Sequence, residues 1–431
     1  MPASYEIADT LLATVYFLAV VTALQVIVVR TAVRNPALRP HIMTLRLAAL
    51  AWCAMALVKK AVLDELLPPT DALYHELIAR EVADLFRDGL HREAFSYFGI
   101  GNPAYRFLLG VFYYCTGAPE LIAYAVNGAL GFWGMLALLD VLSSTVGTRR
   151  IPLSIVLTCT FLPSGILWTT TNLKEGAVLW GICMMGYWTL PSAGPRRGAV
   201  LAAAGAATVA VLRPHIGLLW MVTIGIFVLL RERRLAIVGV IAVGSLAGLA
   251  LIKTMAPDMF DAAVSGGVSS SLDSQYERVT DDANLVSRHF ANSHPTPVLT
   301  GLALILFRPW PTETLHIGEV FAGLEAWCIA LLGLYYWRSL PKPMYFLRHP
   351  RIIAYGLGLL MFGFLFSYMY NMGLAVRQRL MAYPAVLTLY FWPTLELGRL
   401  RTLHALSQTG ARLQPQRMPL PQAARATVAS A

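Results

Sequence analysis

Four short stretches of this sequence set cationic side chains into apolar surroundings: Trp168-Thr169-Thr170-Thr171-Asn172-Leu173-Lys174-Glu175, Arg213-Pro214-His215, Phe307-Arg308-Pro309-Trp310-Pro311 and Arg377-Gln378-Arg379. Guanidinium forks match the oxygens of phosphate, and ionisable groups near membrane depth are functional candidates by default. Lys174, Arg213, His215, Arg308, Arg377 and Arg379 are therefore candidate contacts for a phosphate or pyrophosphate carried on a lipid. The bland alternatives are pairing with nearby acids and, for Lys174, snorkelling along the membrane edge. Carboxylates and histidines remain as acids and bases. No GxxxxGK[ST], GxGxxG after a strand, HExxH or GxSxG occurs, so nucleotide hydrolysis, dinucleotide redox, zincin proteolysis and elbow-type serine hydrolysis have no support.

The elements that must position these groups follow from composition. Of 431 residues, 57% are hydrophobic and 13% charged, against about 45–50% and 25% in ordinary soluble domains. The solvent is a bilayer. The formal charge of +10 falls mostly in short clusters between apolar runs, the pattern of membrane topology rather than of nucleic-acid binding. Cys53, Cys115, Cys159, Cys183 and Cys328 lie in or beside apolar segments without CxxC spacing, so they are packing residues. Glu6 and Asp9 stand where a signal peptide carries basic residues, and no A-x-A site follows Leu11–Val29, which predicts a retained first span.

A membrane helix needs about 17–25 mostly apolar residues. Eleven segments approach or meet that: 10–29, 43–63, 120–142, 151–169, 176–192, 198–213, 215–231, 235–253, 319–337, 352–371 and 380–396. Runs 104–117 and 296–309 are too short to span and are expected to be re-entrant or interfacial. With the N-terminus outside, the clusters around Arg30, Arg149, Arg196, Arg233 and Arg348 and the tail arginines fall inside, as the positive-inside rule requires. The expected architecture is all-α: one polytopic domain, 1–398, with about 11 transmembrane helices and two short non-spanning segments, then a basic cytoplasmic tail, 399–431.

Two sizeable loops, about 64–103 and 254–295, then lie outside, with short polar turns at 170–175, 213–215 and 371–379. After Pro68-Pro69, Thr70 or Asp71 can cap a helix. Leu73, Leu77, Ile78, Val82, Leu85 and Phe86 recur at helical spacing along it, which predicts a helix on the membrane surface. Serving as a cap is the plain alternative for Asp71. The second loop follows a Ser/Gly-rich stretch and holds Arg278, Arg288, His289 and His294.

Asp71 with Tyr74, Gly101-Asn102-Pro103-Ala104-Tyr105, Pro163-Ser164 with Lys174-Glu175, Phe307-Arg308-Pro309-Trp310-Pro311 and Asn371-Met372-Gly373 with Arg377-Gln378-Arg379 together resemble bacterial GT-C-like membrane glycosyltransferases and exopolysaccharide polymerase-like proteins. The resemblance runs from Asp71 to Arg379. It implies a GT-C-like fold in the inner membrane and chemistry on polyprenyl-linked saccharides at the outer face. It also implies catalytic roles for Asp71 and Glu175, with Asp71 deprotonating a glycan acceptor while Arg213, Arg377 and Arg379 stabilise the leaving carrier phosphate. Tyr74, His75, Arg278, Arg288 and His289 are the glycan-binding candidates. Asp71 stands alone where the family commonly has an acidic pair, which leaves a divalent metal open. Membrane lipids and other polysaccharide assembly or export proteins are the expected partners, and no nucleic acid. Rival readings are a repeat-unit polymerase of a xanthan-type pathway, a lipid-linked glycan transporter or flippase, and a structural membrane subunit.

Overall fold

The computed structural model describes residues 2–64, 70–144, 151–189, 195–232, 298–309, 317–340, 343–366 and 372–408. Among these residues the regular structure is helical throughout, with no strand. The expected span 235–253, the loop 254–295 with Arg278, Arg288 and His289, and the tail beyond 408 lie outside the described residues.

The chain opens with α1 (Pro2–Arg34) and α2 (Ile42–Val58), which runs on into a π-helical turn at Lys59–Leu63. Leu11, Val15 and Leu18 of α1 are exposed, as befits an apolar helix whose solvent is lipid. The outer segment forms α3 (Thr70–Arg87), α4 (His91–Ser96) and α5 (Asn102–Thr116). Val82 and Phe86 of α3 pack with Phe107 of α5. A side chain at Gly110 would meet the Val82 Cβ at 2.7 Å, so glycine there lets the two helices touch. Leu73 and Leu77, expected on the same stripe, are exposed instead: the buried face of α3 runs through Ala72, Ala79, Val82 and Phe86, the last three of which meet α5.

Helix α6 (Glu120–Ser143) is the most enclosed of the long apolar helices. The expected 151–169 segment is two short helices, α7 (Leu153–Thr160) and α8 (Pro163–Thr169). Pro163 has no N–H to continue the ladder, and its ring excludes a helical carbonyl behind it. Next come α9 (Glu175–Met185), closed by a 3-10 turn at Gly186–Thr189, then α10 (Pro195–Leu212) and α11 (Pro214–Glu232). Pro214 breaks that pair at Arg213. Farther on are α12 (Val298–Phe307), α13 (Ile317–Arg338), α14 (Pro343–Leu347), α15 (Pro350–Leu365) and α16 (Met372–Gln408).

Among the described residues, five helices are long and apolar enough to cross a membrane: Thr10–Arg34, Arg39–Leu63, Glu120–Ser143, Pro214–Arg231 and Val320–Arg338. Several other expected spans are shorter apolar stretches: Leu153–Thr169, broken at Pro163, and the helices Gly198–Leu212 and Pro350–Leu365. Helix α12, at about 15 Å, is too short for a hydrocarbon core of about 30 Å. Around α6 the core is tied by polar latches: the Trp52 indole donates to the Thr160 carbonyl at 2.7 Å, fixing α2 to α7.

Candidate functional site

Glu175 opens α9, where unpaired helix N–H groups favour a carboxylate. Gly176 presses this end of α9 against α6; an added Cβ would stand 2.4 Å from the Asn127 carbonyl oxygen. That close approach leaves Glu175 with no exposure. Its Oε1 accepts from Arg213 Nη2 at 2.6 Å, and from Arg377 Nη2 at 3.1 Å and Nε at 3.3 Å. Arg213 arrives from the break between α10 and α11, and Arg377 from the first turns of α16. Arg377 reaches outward too, donating from Nη1 to Asp71 Oδ2 at 2.8 Å in the first turn of α3, while its guanidinium stands 5.6 Å from the Trp168 ring centre. Among the described residues, two buried atoms of this array find no hydrogen-bond partner, Glu175 Oε2 and Arg213 Nε.

Lys174 is half-buried beside them. Burial, then the Arg213 guanidinium, bring its ammonium down to about 7. Glu175 is pushed up by burial, but Arg377, Arg213 and Lys174 outweigh that and hold its carboxyl at about 2. The field of Arg106 also reaches Lys174. Four cationic side chains, Lys174, Arg213, Arg377 and Arg106, thus face two carboxylates, Asp71 and Glu175. The surplus positive charge in a largely buried setting is what an anion of the phosphate class would neutralise.

A second set of contacts holds the platform. Arg106 Nε donates to His75 Nδ1 at 3.0 Å and its guanidinium lies 4.3 Å from the Tyr74 ring centre; the His75 ring meets Tyr105 edge-on at 5.4 Å. Burial, then Arg106, bring His75 down to about 4, so it is neutral at physiological pH. Asn172 donates to Glu76 Oε2 at 2.6 Å, and the Tyr113 hydroxyl donates to the same oxygen. Asn127 donates to the Tyr105 hydroxyl at 2.7 Å and the Thr171 carbonyl at 2.9 Å. These bonds latch the 170–175 turn to α3, α5 and α6.

Of the residues expected from sequence, Asp71, Tyr74, His75, Lys174, Glu175, Arg213 and Arg377 converge. His215 lies two residues beyond Arg213, past Pro214, its ring 6.3 Å from that of Phe366. Arg379 goes elsewhere: fully buried, it donates to the carbonyls of Leu306 at 3.2 Å, Arg308 at 2.9 Å and Ala322 at 2.9 Å. Two residues along a helix turn a side chain by about 200°, so Arg379 ties α12 and α13 to α16 while Arg377 faces the cluster. Arg308 is buried and meets Arg379 through its backbone. Glu76, Arg106, Tyr113, Asn127 and Asn172 were not anticipated. One signal was legible, because Asp71 and His75 are four residues apart and share a helix face.

Among the described residues no three His, Cys, Asp or Glu side chains gather as metal ligands. Asp71 and Glu175 both accept from Arg377, a donor environment that does not fit a divalent cation. The chain matches no known family, no curated protein and no solved structure.

Proposed function

We propose that the protein is a membrane glycosyl-transfer enzyme of exopolysaccharide or cell-envelope glycan assembly, with a GT-C-like fold of about 11 spans. In this reading it acts in the bacterial inner membrane on saccharides linked to polyprenyl phosphate or pyrophosphate, at the extracytoplasmic face, with its N-terminus outside and its C-terminus cytoplasmic. The observation that carries it is the bridge of Arg377 between an exposed carboxylate and a buried one, with Lys174 and Arg213 alongside.

Asp71, exposed at the rim, takes the proton of an acceptor hydroxyl as its oxygen attacks the anomeric carbon. The bond from that carbon to the carrier phosphate breaks, and the electron pair goes to the phosphate oxygen. Arg377, Arg213 and Lys174 stabilise that developing charge. A phosphate leaving group needs charge stabilisation more than protonation, so no general acid is assigned on that side. Glu175, enclosed and held by two guanidiniums, orients them and does not exchange protons with substrate. In this reading Tyr74, exposed on the helix that carries Asp71, meets the glycan, and the buried His75 supports it from behind through Arg106.

The test is Asp71→Asn in the producing bacterium, with membrane levels checked by blotting and with polymer and lipid-linked intermediates analysed. Loss of polymer with an incomplete lipid-linked saccharide supports single-sugar transfer. Accumulation of the complete repeat unit, accessible from outside, selects the polymerase reading. Normal polymer removes Asp71 from catalysis, and a complete unit trapped inside selects a transporter or flippase.

A further inference from the structure

The opposite end of α9 carries a second cationic site. From Glu175 through the 3-10 turn to Thr189 the helix rises about 25 Å, nearly the depth of a bilayer core. There the Thr189 carbonyl accepts from Arg351 Nη2 at 2.9 Å and from Arg231 Nη1 at 3.2 Å. Two guanidiniums thus converge on one neutral oxygen. Arg351 is 5% exposed, and its Nε and Nη1 have no hydrogen-bond partner among the described residues. Phe227 and Trp392 wall it, with ring centres 5.6 and 5.5 Å from its guanidinium carbon. Among the described residues, the carboxylate whose field reaches Arg351 is Glu396, and both of its oxygens are held by Arg399. Arg231 stands exposed at the mouth.

His349 completes the site. It caps the N-terminus of α15, where its Nδ1 accepts from the Arg351 N–H at 3.2 Å, which leaves its other ring nitrogen as a donor. Burial and the neighbouring Arg351 bring it down to about 4, so it is neutral at physiological pH. Like charges held this close in apolar surroundings call for an anion, and unpaired guanidinium donors with a helix N-terminus suit phosphate oxygens.

The geometry points to a phosphate-binding site formed by Arg231, His349 and Arg351, separate from the Glu175 cluster and filled by the phosphate of an anionic lipid headgroup or of a soluble phosphate ester. The site owes nothing to the glycosyl-transfer reading. Its test uses the full chain purified in detergent, with thermal unfolding followed on adding phosphatidylglycerol, phosphatidylcholine or inorganic phosphate. Phosphatidylglycerol is expected to raise Tm by several degrees, and Arg231→Gln to remove at least half of that shift. Arg377→Gln in the other cluster and the exposed Arg46→Gln should keep it. Arg231→Gln touches an exposed side chain and therefore folds even where Arg351→Gln does not. A shift with inorganic phosphate alone, sensitive to Arg231→Gln, identifies a soluble ester as the ligand. No shift with either phosphate source, or an Arg231→Gln protein that responds like Arg46→Gln, overturns the site.

Discussion

Arg377 and Asp71, 306 residues apart in the chain, meet at 2.8 Å between Nη1 and Oδ2. The same guanidinium also holds Glu175, so one side chain of α16 fixes the entrance of α3 to the start of α9. Any change at Arg377 acts on the rim carboxylate and on the buried charge together.

Arg377→Lys keeps the charge and loses the fork, so Asp71 and Glu175 can no longer be held at once. On the proposed function, glycosyl transfer in membranes, assayed with a polyprenyl-linked donor, should fall at least tenfold while protein levels stay normal. Full activity in Arg377→Lys would show that the bridge is dispensable.

Arg213→Met takes one of two guanidiniums from a carboxylate with no exposure. Breaking a buried pair by removing one partner costs about 3–5 kcal/mol. The variant should therefore unfold at markedly lower temperature in detergent. Adding Glu175→Gln removes the stranded charge and should return most of that loss; a double variant no more stable than Arg213→Met would refute the pairing.

With its ammonium lowered to about 7, Lys174 is charged below that pH and neutral above it. Anion binding at the cluster should then weaken as pH rises from 6 to 8. Sulfate, which does not titrate in this range, is the suitable probe, its affinity read by calorimetry. Lys174→Arg stays protonated throughout and should flatten the profile. His75, neutral throughout, contributes no step between pH 6 and 8.

Two glycines should respond with opposite signs. Gly176→Ala drives a methyl to 2.4 Å from the Asn127 carbonyl, and such overpacking costs about 1–3 kcal/mol. It should also displace Glu175 and weaken sulfate binding. Gly356 in α15 has nothing among the described residues within 4 Å of an added Cβ; Gly356→Ala should raise stability by up to about 1 kcal/mol through helix propensity alone. Thermal unfolding of both proteins decides the matter.

The cationic candidates Arg213, Arg377 and Lys174 were legible because charge inside an apolar run is costly and needs a local reason. The helix after Pro68-Pro69 was legible because Pro ends one element and Thr70 or Asp71 can open the next. The partners that hold the cluster were not. Asn127 and Asn172 lie in stretches whose pattern is simply that of a helix and a turn, and their bonds depend on how α6 and α9 pack. Arg379 shows the converse: the motif makes it equivalent to Arg377, yet about 200° of helical rotation sends it to the carbonyls of α12 and α13.

Composition and hydropathy alone determined that the chain is helical and built for a bilayer, because apolar runs of span length leave the backbone no other way to satisfy its hydrogen bonds. Local chemistry located the break at Pro214, since proline acts on its own neighbours, whereas the break at Pro163 falls inside the expected 151–169 span and emerged only in the fold. Tertiary structure decided that Asp71, Glu175, Arg213 and Arg377 share one place, and that Arg231 and Arg351 share another at the far end of α9. Those meetings join residues as much as 306 positions apart, and helix-on-helix contact, set by close approaches such as that of Gly176 to Asn127, has no signature in the local sequence.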